Sequence, residues 1–165
     1  MGQYREDRFW VEAVESYEEL LGHVEQWDRL ARNSLDTNVY LESWMFLPAV
    51  RAFKTAKTRF VFALIYTKDE NDSTTLAGFF PFEKLNRYRK KFPCRNLLLW
   101  RYGLCFLGTP FVHRNYAKEV IGILLDWAEN GPYASTTVEL EWVGGDTRFG
   151  DEFRAVCNAR GSRIT

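Results

Sequence analysis

Apolar positions recur along this chain in two different rhythms, and the change of rhythm divides it into elements. Phe9–Val14 alternates well enough to predict a first strand. Ser16 then opens a helix with Glu19 in the partner position of a capping box, where hydroxyl and carboxylate each satisfy a free backbone N–H. Leu20, Leu21, Val24, Trp27, Leu30 and Ala31 follow at helical spacing, and residues 34–38 (SLDTN) read as the stop and turn. A second helical stretch over residues 41–53 carries Trp44, Met45, Ala49, Val50 and Phe53 on one side. Pro48 inside it predicts a kink or two short helices.

The middle of the chain changes to the strand period. Residues 60–67 (FVFALIYT) are apolar on both faces, which predicts a central strand covered on each side. A polar turn at 69–73 leads to a second strand over 76–83 (LAGFFPFE), so 60–83 reads as a hairpin. Pro81 suggests an edge or a bulge near that strand's end. Residues 86–93 form a basic connector, and 97–107 (LLLWRYGLCFL) supply one long strand or two short ones around Gly103. Asn115 is placed to cap a helix running to Glu129, with Tyr116, Val120, Ile121, Leu124, Trp127 and Ala128 as its stripe. Asn130-Gly131-Pro132 stops it, with Gly131 suited to a left-handed cap. Residues 137–143 (TVELEWV) alternate as a half-buried strand, Gly144-Gly145 turns the chain, 149–159 forms a last helix, and 162–165 reads as the start of another strand. The expected fold is α/β (α+β): a mixed central sheet flanked by helices on both faces, in one domain spanning residues 1–165.

Composition supports a well-filled core, since six Trp, eight Tyr and thirteen Phe stand among 165 residues. The formal net charge is zero, which argues against wholesale nucleic-acid binding. The charge is unevenly spread. Residues 51–115 hold thirteen basic and four acidic side chains, between two acidic ends. Three cysteines without a C-x-x-C pair argue for reduced thiols and a cytoplasmic setting. The start, MGQYREDRFW, has no apolar signal region, and no apolar run is long enough for a transmembrane segment.

Candidate chemistry is sparse. His23 and His113 are far apart and without ligand-spaced partners, so the sequence points to no metal site. No G-x-S-x-G elbow, G-x-x-x-x-G-K-[ST] loop or G-x-G-x-x-G loop occurs. Each cysteine sits in apolar surroundings and reads as a buried structural thiol. The loop from Gly108 to Asn115 precedes the strongest helix, where free N–H groups favour anions and Arg114 and Lys118 would add charge; a plain strand–helix connection is the competing reading. Glu139 and Glu141 lie two apart on a predicted strand, either tuning one another or forming its wet side. Arg87, Arg89, Lys90 and Lys91 are the densest charge run, with Tyr88 and Phe92 interleaved. They suit a polyanion, an anionic membrane face or an acidic partner, or else a solvated hairpin tip or connector.

Trp27-Asp-Arg-Leu-Ala31 leading to Asn33-Ser34, then Val39-Tyr-Leu-Glu-Ser-Trp44, Leu76-Ala-Gly-Phe-Phe-Pro-Phe82, and Leu107-Gly-Thr-Pro110 before the helix ending Leu124-Leu-Asp-Trp127 form an ordered set of motifs. With the order of predicted elements, this set resembles the GNAT acyltransferase fold. More narrowly, it resembles the N-terminal half of CelD/BcsL-type acetyltransferases, which are linked by name to cellulose biosynthesis, a polysaccharide-forming process. The resemblance implies a longer chain of two GNAT-like halves and a second GNAT-like domain as this one's partner. It also implies transfer of an acyl group from acetyl-CoA or another acyl-CoA to an unknown acyl acceptor. GNAT enzymes hold the CoA pyrophosphate on a Q/R-x-x-G-x-G/A loop. The matching place here reads Gly108-Thr-Pro-Phe-Val-His-Arg-Asn115, which departs from that pattern, and Pro110 removes one backbone donor. No catalytic or cofactor-binding residue is therefore carried over. The expectation is a supporting half of an acyltransferase, inactive alone; the alternative is a non-enzymatic module that binds an acidic partner through the run at 87–91.

Overall fold

The structure is a computed structural model and describes residues 3–6, 8–68, 72–88 and 92–164. Its strands are β1 (Gln3–Glu6), β2 (Phe9–Val14), β3 (Phe60–Lys68), β4 (Thr74–Tyr88), β5 (Phe92–Leu99), β6 (Phe111–Val112) and β7 (Thr137–Glu139). Its helices are α1 (Tyr17–Leu21), α2 (Val24–Asn33), α3 (Ser43–Phe53), α4 (Ala117–Asn130) and α5 (Arg148–Arg160), with a 3-10 turn at Val39–Leu41. Among the described residues this is a mixed α+β architecture around one seven-stranded mixed sheet. The strand order is β1-β2-β3-β4-β5-β7, with β6 also paired to β4. Every pair is antiparallel except β5 with β7, which the crossover helix α4 makes parallel.

The both-sided apolar run explains the layering. Val61, Ala63 and Ile65 of β3 face a core shared with α4 and α5, built on Val120, Ile121, Leu124, Trp127 and Phe149. Phe60, Phe62, Leu64 and Tyr66 face a second core under α2 and α3, built on Trp27, Leu30, Phe46 and Val50. Helices therefore lie on both faces, as the pattern predicts.

The details differ from the sequence reading in instructive places. The capping box at Ser16 and Glu19 is present, but the helix it opens ends at Gly22, and α2 restarts after His23. Helix α3 continues through Pro48. Pro48 and Trp44 are both exposed, so the carbonyl that loses its donor faces solvent. Pro81 lies in the middle of β4 rather than near its end. β4 is bordered on one edge by β6 at Gly78 and Phe79 and by β5 from Phe82 onward. Pro81 falls where the neighbour changes, and its carbonyl accepts the Trp100 N–H at 2.7 Å. Register irregularities sit instead opposite Ile65 and Tyr66, against β3, and between Leu85 and Arg87, against β5.

The predicted strand over 97–107 stops at Leu99, because Trp100, Tyr102 and Cys105 turn into the α2–α3 core as a loop. The cap of α4 is Tyr116, not Asn115, whose N–H goes to His113 Nδ1. Gly131 is extended, not left-handed; glycine is needed there because a Cβ would sit 2.4 Å from the Trp127 carbonyl oxygen. β7 ends at Glu139, leaving Glu141 in the following turn, and residues 162–164 form no strand. The turn at 69–71 lies outside the described residues.

Side-chain ties join segments distant in sequence. Asp36 accepts from the Arg148 and Phe149 N–H groups at 3.1 and 2.7 Å and so caps α5, together with Thr147. Glu15 accepts from Lys84 Nζ at 2.6 Å and from the Tyr133 hydroxyl, while Lys84 lies over the Tyr133 ring. The hydrogen bond from Lys84, then that from Tyr133, holds the Glu15 carboxyl below its ordinary range. A carboxyl depressed in the folded state adds stability above its unfolded value, and that stability is lost as pH falls through the folded value. Urea denaturation across a pH series is expected to show stability falling through and below the ordinary carboxylate range, with a flatter acid limb in Glu15→Gln. An unchanged limb would remove the role of this tie.

Candidate functional site

The parallel pair β5–β7 is the place where the chain's own geometry leaves an opening. Asn96, Leu97 and Leu98 pair with Thr137, Val138 and Glu139. The buried Asn96 amide reinforces the pair, donating to Glu139 and accepting from the Thr137 hydroxyl at 3.0 Å. Beyond Leu98 and Glu139 the strands cease to pair, and the loop leading to α4 moves in between. There the Gly108 N–H donates to the Trp142 carbonyl at 2.9 Å. The approach is so close that a Cβ on Gly108 would lie 1.8 Å from the Glu141 carbonyl oxygen. Buried Asn38 pins the same loop, donating to the Leu107 and Thr109 carbonyls at 3.1 and 2.8 Å. Trp142 has φ of 61°, a conformation that costs a bulky residue energy, and the Arg101 guanidinium lies over its ring at 4.6 Å.

Several backbone donors of the loop 108–116 are spent inside the fold, although the buried Thr109 hydroxyl has no partner there. Val112 N–H goes to Ser34 Oγ, His113 N–H to Ala77, Arg114 N–H to Asn33, and Tyr116 N–H to His113. Arg114 does not face the start of α4. Its side chain donates to the Asn33 and Arg32 carbonyls at 3.2 and 3.1 Å and so caps the C-terminus of α2. Arg114, foreseen as an anion ligand, is thereby structural, whereas the helix start itself has no side-chain cap at Tyr116.

A groove of about 890 Å³ runs along β7 between α4, α5 and residues 162–164. Leu125, Val138, Leu140 and Phe153 give it an apolar floor, and Cys157 and Arg160 stand along one side. β7 pairs only with β5 among the described strands, so its other edge is open beside this groove. Burial pushes the Cys157 thiol up, away from a reactive thiolate. Arg160 is held by Asp126 and Glu129.

No family model, curated protein or solved structure matches this chain.

The remaining candidates are scattered. Arg89, Lys90 and Lys91 lie outside the described residues, as does the side chain of Arg87, whose backbone belongs to β4. Glu139 is tied to Asn96 and Glu141 has left the strand, so the two do not form a paired carboxylate site. His113 packs on the Tyr116 ring, and burial and then Arg114 push its pKa down. His23 Nδ1 meets the Tyr66 hydroxyl at 2.6 Å, with Glu12 3.7 Å from Nε2; no spacing in the sequence signalled this contact. Among the described residues no cluster of His, Cys, Asp or Glu could hold a metal ion, and no helix is long and apolar enough to cross a membrane. The cysteines are unbridged.

Proposed function

We propose that this chain is a GNAT-like domain, the N-terminal half of a CelD/BcsL-type acyltransferase, and that it supports substrate binding rather than catalysing transfer itself. The order of elements favours this reading: a strand, helices, an antiparallel run β3–β4–β5, then a crossover helix to a parallel strand. The observation that carries the supporting role is the occupied opening between β5 and β7. A thioester-bearing nucleotide needs a mouth between such strands and free amides at the helix that follows. Here Glu141 and Trp142 fill the mouth against Gly108, and the N–H groups of Gly108, Val112, His113, Arg114 and Tyr116 bond within the chain ahead of α4. The open edge of β7, with its groove, is then the surface a second GNAT-like domain would extend, and the acyl acceptor would lie between the two halves.

The test has two arms. Calorimetric titration of this chain with acetyl-CoA is expected to give no saturable micromolar binding, and such binding would overturn the supporting role. The reading frame past Thr165 is expected to encode a second α/β domain with a phosphate loop, and a stop codon there would remove the tandem reading.

A further inference from the structure

Aromatic side chains run outward from the α2–α3 core to one end of the molecule. Phe60 meets Trp100 edge to face at 5.0 Å, and Trp100 lies 5.8 Å from Tyr102. Tyr102 stacks on Phe53 at 5.4 Å, and Tyr40 stands edge-on to both Tyr102 and Phe106 at 6.4 and 6.3 Å. The inner members are buried and the outer ones are not. Phe53 is 42% exposed, Leu104 62% and Phe106 64%. The loop from Trp100 to Leu107 is thus anchored from below by Trp100, Tyr102 and Cys105 and apolar at its tip.

The two stretches of chain that build this end carry charge of one sign. Between Ser43 and Thr67 the chain carries Arg51, Lys54, Lys57 and Arg59 and no carboxylate; between Pro93 and Tyr116 it carries Arg95, Arg101 and Arg114, again with none. Lys54 and Lys57 are exposed directly after Phe53. Two carboxylates stand at the margins: Glu42 accepts the Trp44 indole N–H at 2.8 Å, and Glu83, opposite Phe60 in the sheet, is half-buried with its pKa pushed up by desolvation.

We propose that this end binds the surface of an anionic lipid bilayer, with Phe53, Leu104 and Phe106 entering the headgroup region and Lys54 and Lys57 meeting lipid phosphates. Apolar tips rimmed by cations are what an interfacial anchor requires, since burial and electrostatic attraction add. A second copy is disfavoured, because a twofold contact would press these cations against themselves. Single-stranded nucleic acid is disfavoured because Phe53 already stacks on Tyr102, and Leu104 offers no ring. None of the three tip residues lines the groove beside β7, so this proposal stands apart from the acyltransferase reading.

Vesicle flotation tests it, using phosphatidylcholine alone and phosphatidylcholine mixed with phosphatidylserine. The chain is expected to float with the anionic vesicles only, and less so as salt rises. Leu104→Ser with Phe106→Ser is expected to lower the partition coefficient about tenfold or more. Lys54→Glu with Lys57→Glu is expected to lower it about tenfold. All four positions are exposed, so an unchanged thermal melt serves as the folding control. Failure to float with anionic vesicles overturns the proposal. So does flotation that survives loss of Leu104 and Phe106, or capture of a single-stranded oligonucleotide while vesicles are ignored.

Discussion

Replacing Gly108 by alanine is expected to destabilise the folded chain by about 3 kcal/mol or more, at or above the top of the usual range for overpacking. The added Cβ would lie 1.8 Å from the Glu141 carbonyl oxygen and 3.0 Å from its carbon. Both are main-chain atoms, so no side chain can rotate away to relieve the clash. Any retreat must break the bond from Gly108 N–H to the Trp142 carbonyl and strain the two bonds by which Asn38 holds the loop. Urea denaturation of the two proteins measures the difference. A loss under about 1 kcal/mol would mean that residues 107–109 and 141–142 do not meet as described, and the occupied opening between β5 and β7 would go with them.

Trp27→Ala is expected to cost about 3–5 kcal/mol. Trp27 is fully buried where α2 meets the sheet, with Phe79 at 4.4 Å and Phe46 at 5.6 Å between ring centroids. Its indole N–H donates to the Leu41 carbonyl at 2.9 Å, tying α2 to the 3-10 turn ahead of α3. Truncation therefore opens a large cavity and also leaves a buried carbonyl without its donor. Calorimetric melting reads the change. Trp27→Phe restores most of the volume but not the N–H, and it is expected to fall between the two. Equal losses for both variants would assign the whole effect to the hydrogen bond.

The sequence was most readable where one residue's surroundings follow from its near neighbours. Phe60–Thr67 announces a strand buried on both sides because both sets of alternate positions are apolar. Ser16 and Glu19 announce a helix start because the capping partners are local. Where contacts come from far along the chain, the pattern misleads. Trp100, Tyr102 and Cys105 look like a strand's buried positions, yet they belong to a loop that folds into the α2–α3 core. Pro81 looked like an edge signal, and only the change of neighbour from β6 to β5 explains its central place. The candidate site suffered most. Gly108 is constrained by Glu141, and Arg114 is claimed by the end of α2. Neither partner is visible from local spacing. The tip formed by Leu104 and Phe106 was likewise hidden inside what read as a strand, since apolar letters do not say which way a loop turns them.

β7 has a further consequence for the chain on its own. A sheet margin left open invites foreign strands to stack on it, the first step towards aggregation. This margin offers only three residues of ladder, ends on Glu139 and is followed by Glu141. Short length and negative charge are the gatekeeping devices that keep exposed strands apart. Replacing both acids by glutamine is therefore expected to shorten shelf life in solution, read as an earlier rise in turbidity.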